Sequence, residues 1–433
     1  MKENKDIILK GGRVIDPANN LDQVSDVAIS NGKIVQVNDT VNPNIIDASG
    51  LIVTPGLIDM HVHLRQPGRS DKETIASGTR AAAAGGFTTI VSMPNTSPVA
   101  DNSGTIEYIR RHATTDGVVK VLPSAAMTKN LEGKNMSGLG SLKKYGVVAV
   151  TDDGACVQKH DVMRHILEYG KTFKLPILDH CEDAALSADG VMHEGHWSTL
   201  LGLRGIPAAS EELMVARDII LAEIADWKIH IQHISSKGSV RMVRDAKKRG
   251  IQVSAEVTPH HITLTDEVLK SFDTNYKMKP PIMSEDHKEA LIAGLQDGTI
   301  TCIASDHAPH TETEKLVEFD YAPFGIIGLE TSVPICLTEL YHKKHLNLMD
   351  LISKFTVGPA KVLDIPAGTL SLGASADITL IDINKEYCID SSKFYSKSRN
   401  TPFNTWNVKG KIAATLVDGV CIYSSIPTIK GII

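Results

Sequence analysis

No two cysteines in this chain are spaced as Cys-x-x-Cys; the six stand singly at 156, 181, 302, 336, 388 and 421. That argues against a thiolate zinc site and against a disulfide framework. An excess of positive charge is also missing. Lys and Arg number 45 against 51 Asp and Glu, for a net charge of -6, and no dense basic run occurs. Nucleic acid and anionic membranes are therefore poor candidates as partners. No apolar run is long enough to span a bilayer. The opening Met1-Lys2-Glu3-Asn4-Lys5-Asp6 is charged and lacks the apolar centre of a signal peptide, so the expected location is cytoplasmic. The Gly-rich phosphate fingerprint of many doubly wound sheets is absent too.

What is present is an ordinary globular composition, 42% hydrophobic and 22% charged over 433 residues. The two ends are rich in short β-like runs. Near the start, Ile7-Ile8-Leu9 precedes Gly11-Gly12, and Val27-Ala28-Ile29 leads through Asn31-Gly32 into Lys33-Ile34-Val35, which reads as a hairpin. Near the end, Asp377–Ile381 and Ala414–Gly419 read as short strands with Gly punctuation. The expectation is one small β-sandwich domain built from both termini.

The middle alternates apolar runs with helical patterns. The runs are 57–62, 88–93, 118–123, 147–151, 175–179, 228–232, 251–256 and 300–305, with helix-like segments such as Lys72–Ala84 and Ser210–Ile224 between them. Continuous apolar runs suit buried parallel strands. Eight strand–helix units predict an α/β fold of the closed (β/α)8 TIM type, which takes about 250 residues. The division expected is 1–52 and 363–433 for the two parts of the sandwich and 53–362 for the barrel.

In such a barrel the chemistry sits where the strands end. Run one ends Asp59-Met60-His61-Val62-His63-Leu64-Arg65. Residues two apart on a strand share a face, so His61, His63 and Arg65 are expected to point together. Runs four, five, six and eight end in Asp152-Asp153-Gly154, Asp179-His180-Cys181-Glu182, Gln232-His233 and Ser305-Asp306-His307-Ala308-Pro309-His310. Singly, these read as a turn, as hydrogen-bonded histidines or as a helix cap. Jointly, four histidines and two aspartates at five strand ends are too costly to bury unpaired. Divalent metal resolves the cost. Imidazole with carboxylate suits zinc, and manganese or cobalt could substitute. His260 and His261 end run seven without an assigned role.

These motifs resemble a known family. Gly56-Leu57-Ile58-Asp59-Met60-His61-Val62-His63-Leu64-Arg65-Gln66-Pro67-Gly68, Met93-Pro94-Asn95-Thr96, and Ala304–His310 followed by Ala322-Pro323-Phe324-Gly325 are similar to the signatures of dihydroorotases in the amidohydrolase superfamily, over about residues 6 to 423. The resemblance implies two Zn2+ per subunit, one or both of them filled in isolated protein. His61 and His63 would bind the more buried ion and His180 and His233 the second. Asp153 would bridge, and Asp306 would complete the first site and act as catalytic acid–base. Arg65, Asn95 and His310 would hold the substrate carboxylate and amide, with backbone near Phe324 and Gly325 against the ring.

The activity implied is reversible cyclisation of N-carbamoyl-L-aspartate to dihydroorotate, in pyrimidine synthesis. A homodimer and association with aspartate transcarbamoylase are implied as partners.

Three departures stand out. Strand four, Val147–Thr151, has no Lys to be carboxylated, so the chain resembles the long bacterial branch that uses aspartate. Gln66 replaces the usual Glu. Lys279-Pro280-Pro281-Ile282-Met283 replaces Asn-Pro-Pro-Leu-Arg, placing Lys279 where a substrate-contacting Asn is expected. Two other readings remain at this stage. One is a hydantoinase or allantoinase, which usually carries the strand-four lysine and lacks the Arg-and-Asn set. The other is a non-catalytic partner of aspartate transcarbamoylase, which tends to lose ligand histidines. Residues 311–325, charged and ending in Pro-Phe-Gly, are a candidate lid.

Overall fold

A computed structural model describes residues 6–426; the charged opening through Lys5 and residues 427–433 lie outside it. All eight apolar runs of the middle overlap parallel strands: β1 (Leu57–Val62), β2 (Phe87–Ser92), β3 (Lys120–Ala125), β4 (Ala149–Val150), β5 (Ile177–Asp179), β6 (Ile229–Ile231), β7 (Val253–Val257) and β8 (Cys302–Ile303). They pair in chain order as one sheet. The sheet closes where Val62 bridges His307 in parallel and the His63 amide donates to the His307 carbonyl at 2.9 Å.

Outward residues such as Ile90, Ile177, Ile229 and Ile303 join the cluster under the surrounding helices. Inward Ile58, Met60, Val91, Ala149, Leu178 and Cys302 form a second cluster, plugged from the N-terminal end of the strands by Ala360, Val362 and Leu363 of the helix Val357–Leu363. The interior is thus packed at one end and open to chemistry at the other.

The helix expected over Lys72–Ala84 begins later, at Ile75, because Thr74 caps it: its hydroxyl accepts from the Ser77 amide, and Ser77 Oγ accepts from the Thr74 amide. Lys72 and Glu73 are freed for other contacts. The helix expected over Ser210–Ile224 runs from Ala209 to Ala225.

The termini do combine into one β unit. Ile52–Pro55 pairs antiparallel with Ile378–Ile381, joining N-terminal to C-terminal strands in one mixed eight-stranded sheet with its own core of Leu9, Val14, Val53, Ile378, Leu380 and Leu416. The Asn31-Gly32 hairpin forms, both residues having positive φ (50° and 74°) and Ser30 facing Lys33. Several strands are longer than their local signals. Gly11-Gly12 does not end the first strand, which runs Ile7–Asp16 and absorbs the glycines as a bulge. The two C-terminal strands extend over Ile378–Cys388 and Asn407–Val417. Sheet pairing carries them through residues whose local pattern is weak.

Candidate metal centre and active site

Six polar side chains converge where β1, β4, β5, β6 and β8 end. Asp153 lies at the middle. Its Oδ1 is 3.2 Å from His61 Nε2, 3.6 Å from His233 Nε2 and 3.7 Å from His180 Nδ1, and its Oδ2 is 3.3 Å from His63 Nε2. Asp306 Oδ1 is 3.1 Å from His63 Nε2 and 3.5 Å from His61 Nε2. His180 Nδ1 and His233 Nε2 face each other at 2.7 Å. Two overlapping sets, His61 with His63 and Asp306, and His61 with Asp153 and His233, could each hold one ion.

The backbone is bent to make this possible. On β1, Ile58 and Met60 face the interior cluster, yet His61 and His63 also turn inward. The pairing register with β2 shifts between Asp59 and Val62, which reverses the alternation. Arg65 does not share the strand face with the two histidines as expected: β1 ends at Val62 and Arg65 has a left-handed φ of 58°. His233 and Asp306 are left-handed too, at 29° and 46°. Three of the site's non-glycine residues thus hold costly conformations, as strained backbone at functional sites does.

The donor set fits a divalent ion. His61 Nδ1 donates to Glu256 Oε1 at 2.7 Å, which turns Nε2 toward Asp153 and Asp306 at 3.2 and 3.5 Å. That Nε2 is fully buried and makes no hydrogen bond. His63 Nδ1 likewise donates to Asn95 Oδ1 at 2.8 Å, turning its Nε2 to the carboxylates. Burial alone would raise the Asp153 and Asp306 carboxyls, but His61 and the other surrounding histidines hold both well below the usual range. Glu256 is held at about 2 against its burial by His61 and His230. The site therefore has ionised acceptors around an orphaned imidazole nitrogen.

Above these groups opens a cavity of about 410 Å3. It is lined by His63, Asp153, His180, His233 and Asp306 below, and by Arg65, Asn95, Lys279, His310, Phe324 and Gly325 around the sides. Every residue expected from sequence lies on it except His61, which is buried beneath. Arg65 Nε donates to the Pro309 carbonyl at 3.2 Å, and its Nη groups have no partner among the described residues. His310 has both ring nitrogens engaged. Nε2 donates to the Phe324 carbonyl at 2.8 Å and Nδ1 accepts from Lys72 at 3.2 Å. Burial, then Arg65 and Lys72, press it down to about 3, so it is neutral. Gly325 has φ 120°, and a Cβ there would meet Ala308 Cβ at 2.7 Å.

The comparisons with known proteins agree with this geometry. A family model described as "Dihydro-orotase-like" matches residues 50–239. Dihydroorotases of Syntrophus aciditrophicus and Pelotomaculum thermopropionicum are each 50% identical, covering 96% and 95% of this chain and 99% and 97% of theirs.

The chain belongs to the dihydroorotase family.

Among solved structures, an L-hydantoinase from Arthrobacter aurescens has a TM-score of 0.88 at 23% identity, covering 97% of this chain and 96% of its own. A dihydropyrimidinase from Brevibacillus agri has 0.84 at 22%, covering 97% and 95%. Those likenesses establish the barrel with its terminal mixed sheet. They do not favour a hydantoinase reading over the dihydroorotase one, which the far closer sequence relatives carry.

The family's departures in this chain now have places. Gln66 Oε1 accepts from the Ile75 amide at 2.9 Å and Nε2 donates to Tyr108 at 3.2 Å, so this residue anchors a helix start. Lys279 Nζ pairs with Glu182 Oε1 at 2.8 Å, and Glu182 Oε2 lies 3.3 Å from His180 Nε2. The lysine is therefore tied to a histidine of the centre through one carboxylate. Asp152 turns away, accepting from Thr128. His307 packs behind the centre, 3.2 Å from Glu73. His261 is held by Thr258 and the Pro280 carbonyl. A further buried group, Asp179, Cys181 and Asp218, is paired with Arg217, which lies 3.0 Å from Asp179 and 2.7 Å from Asp218.

Sequence reasoning missed Glu256 and Glu182. Glu256 had a signal, since a charged residue inside the apolar run 251–256 demands a buried partner. Glu182 had none beyond its nearness to His180.

Proposed function

We propose that this chain interconverts dihydroorotate and N-carbamoyl-L-aspartate at the Asp153-centred cavity, with two divalent ions, zinc by preference. His61, His63 and Asp306 would hold one ion, His180 and His233 the other, and Asp153 would lie between. The buried His61 Nε2, left without a hydrogen bond between two ionised carboxylates, is the observation that carries the reading. Bound there, zinc would make water acidic enough to attack at neutral pH and would polarise the amide carbonyl.

The chain's own groups supply the rest. Asp306, ionised, takes the proton of the attacking water and returns it to the departing ring nitrogen. In the reverse direction it takes the proton from the ureido nitrogen as the ring closes and passes it to the carboxylate oxygen that leaves as water. Arg65 offers its free Nη groups to the ring carboxylate, for which its planar fork is suited. Asn95 orients His63 through Oδ1 and presents its amide nitrogen to substrate. Lys279, beside the Phe324 ring at 5.2 Å and paired with Glu182, offers its ammonium at the rim to an anionic substrate. His310, neutral, holds the Phe324 carbonyl and thereby the loop that walls the ring, with Gly325 leaving the space.

The segment 311–325 is the proposed cover. Lys315 Nζ donates to the Pro323 carbonyl at 2.8 Å, and Lys277 Nζ to those of Phe319 and Asp320 at 2.7 and 2.9 Å, which shape it. We further propose a barrel unit over 53–362 flanked by terminal parts 1–52 and 363–433, a homodimer, a cytoplasmic location and association with aspartate transcarbamoylase. Among the described residues, no helix is long and apolar enough to cross a membrane.

The test is a ring-opening assay on dihydroorotate, followed by loss of ultraviolet absorbance with and without zinc, with hydantoin and allantoin in parallel. Turnover of dihydroorotate alone supports the reading. Turnover of hydantoin or allantoin instead overturns the substrate, and zinc binding without any turnover overturns catalysis.

A further inference from the structure

A second cavity lies at the other end of the barrel. Its volume is about 560 Å3, and it lies where β5, β6, β7 and β8 begin, beside the plugging helix Val357–Leu363. Four lysines line it, Lys228, Lys247, Lys354 and Lys361, with the hydroxyls of Ser254, Ser353 and Thr301, and none of its lining residues is acidic. The remaining wall is largely aliphatic, from Ile177, Ile229, Val253, Val357 and Val362.

The lysines divide into two pairs. Lys247 Nζ donates to the carbonyls of Gly298 and Thr299 and to Thr301 Oγ1 at 2.9, 2.7 and 3.1 Å, and buried Lys354 donates to the Ile300 carbonyl at 2.7 Å. These two are built into the wall. Lys228 and Lys361 have no hydrogen-bonding or ion-pair partner among the described residues. Outside the lining, Asp297 is paired with Arg244 at 2.7 Å, Asp350 lies near Lys354 and Asp364 near Lys228. Burial, followed for Lys247 by the nearness of Lys354, lowers the pKa of both, and burial lowers that of Lys228 as well. Gathering like charges in a half-enclosed space is unfavourable until an anion joins them.

We infer that this cavity is a binding site for a small phosphorylated organic anion of nucleoside-monophosphate size, its phosphate on Lys228 and Lys361 and its ring on the aliphatic wall. A ring-bearing anion is favoured over free phosphate because most of the wall is apolar and the volume is within the range of small-molecule sites, about 300–1,000 Å3. The site is separate from the catalytic cavity. Between them lie the interior apolar cluster and the buried chain Ser254–His230–Glu256–His61, whose links are 2.8, 3.2 and 2.7 Å.

The test is calorimetric titration of the zinc-loaded protein with the four common nucleoside monophosphates, their unphosphorylated nucleosides and inorganic phosphate. Wild type is run beside K228A/K361A, whose unchanged basal turnover would report an intact fold. At least one monophosphate is expected to bind below millimolar concentration. Its nucleoside should bind far more weakly, and the double variant should weaken monophosphate binding by roughly tenfold or more. Absence of monophosphate binding, or equal binding by wild type and variant, overturns the site. Inorganic phosphate binding as tightly as the monophosphates overturns the organic class.

Discussion

The same eight strands end in two cavities of opposite chemistry. At their C-terminal ends, four histidines and two aspartates crowd around an orphaned nitrogen, and three residues there, Arg65, His233 and Asp306, are held in left-handed conformations. At their N-terminal ends, four lysines line a space without a carboxylate, and none of the residues lining it is a non-glycine with positive φ. One end gathers potential metal-ligating side chains and the other gathers cationic ones. The contrast shows where strain is tolerated. At the upper end backbone distortion aims side chains for chemistry, while at the lower end long, adaptable side chains gather charge with no such distortion at the lining residues.

Substitutions would break or sharpen this contrast, and they are ordered here by effect. Asp306→Asn should cost on the order of 10³-fold in turnover of dihydroorotate, because the proton carrier is lost; retention of more than about a tenth of the rate would remove Asp306 from that role. Chelation should lower turnover by at least about 100-fold, with recovery on adding zinc, whereas monophosphate binding at the opposite end should persist. Glu256→Gln should weaken metal affinity about 10- to 100-fold with near-normal turnover at saturating zinc, measured by competition with a chromophoric chelator. Unchanged affinity would mean that the His61–Glu256 bond does not orient the ligand. Lys279→Asn should shift KM by about fivefold or less, since the part-exposed pair with Glu182 contributes no more than about 1 kcal/mol. K228A/K361A should change unfolding free energy by no more than about 0.5 kcal/mol and leave turnover unaltered.

Much of the upper cavity was legible because its residues stand at run ends. Alternating apolar runs and helical segments place β1 to β8, and a His or Asp directly after a buried run falls at the barrel mouth wherever the run's exact limits lie. Lys279, Phe324 and Gly325 were legible only through family resemblance, since each sits on a loop with no periodicity. Other features left no local mark. The register shift on β1 depends on pairing with β2, so the alternation that correctly grouped His61 with His63 wrongly extended the strand face to Arg65. Glu182 and Lys279 are nearly a hundred positions apart and meet only in the folded chain.

The sequence by itself determined the fold class, the terminal β unit and the types of metal-binding side chain, because hydrophobic periodicity and the cost of burying polar groups act locally along the chain. Tertiary structure alone decided three things. It reversed the β1 alternation, since register is a property of paired strands. It left His61 Nε2 without a partner, since that follows from Glu256 arriving from β7. And it brought Lys228, Lys247, Lys354 and Lys361 to one cavity from separate segments, since closing the barrel joins residues that chain distance keeps apart.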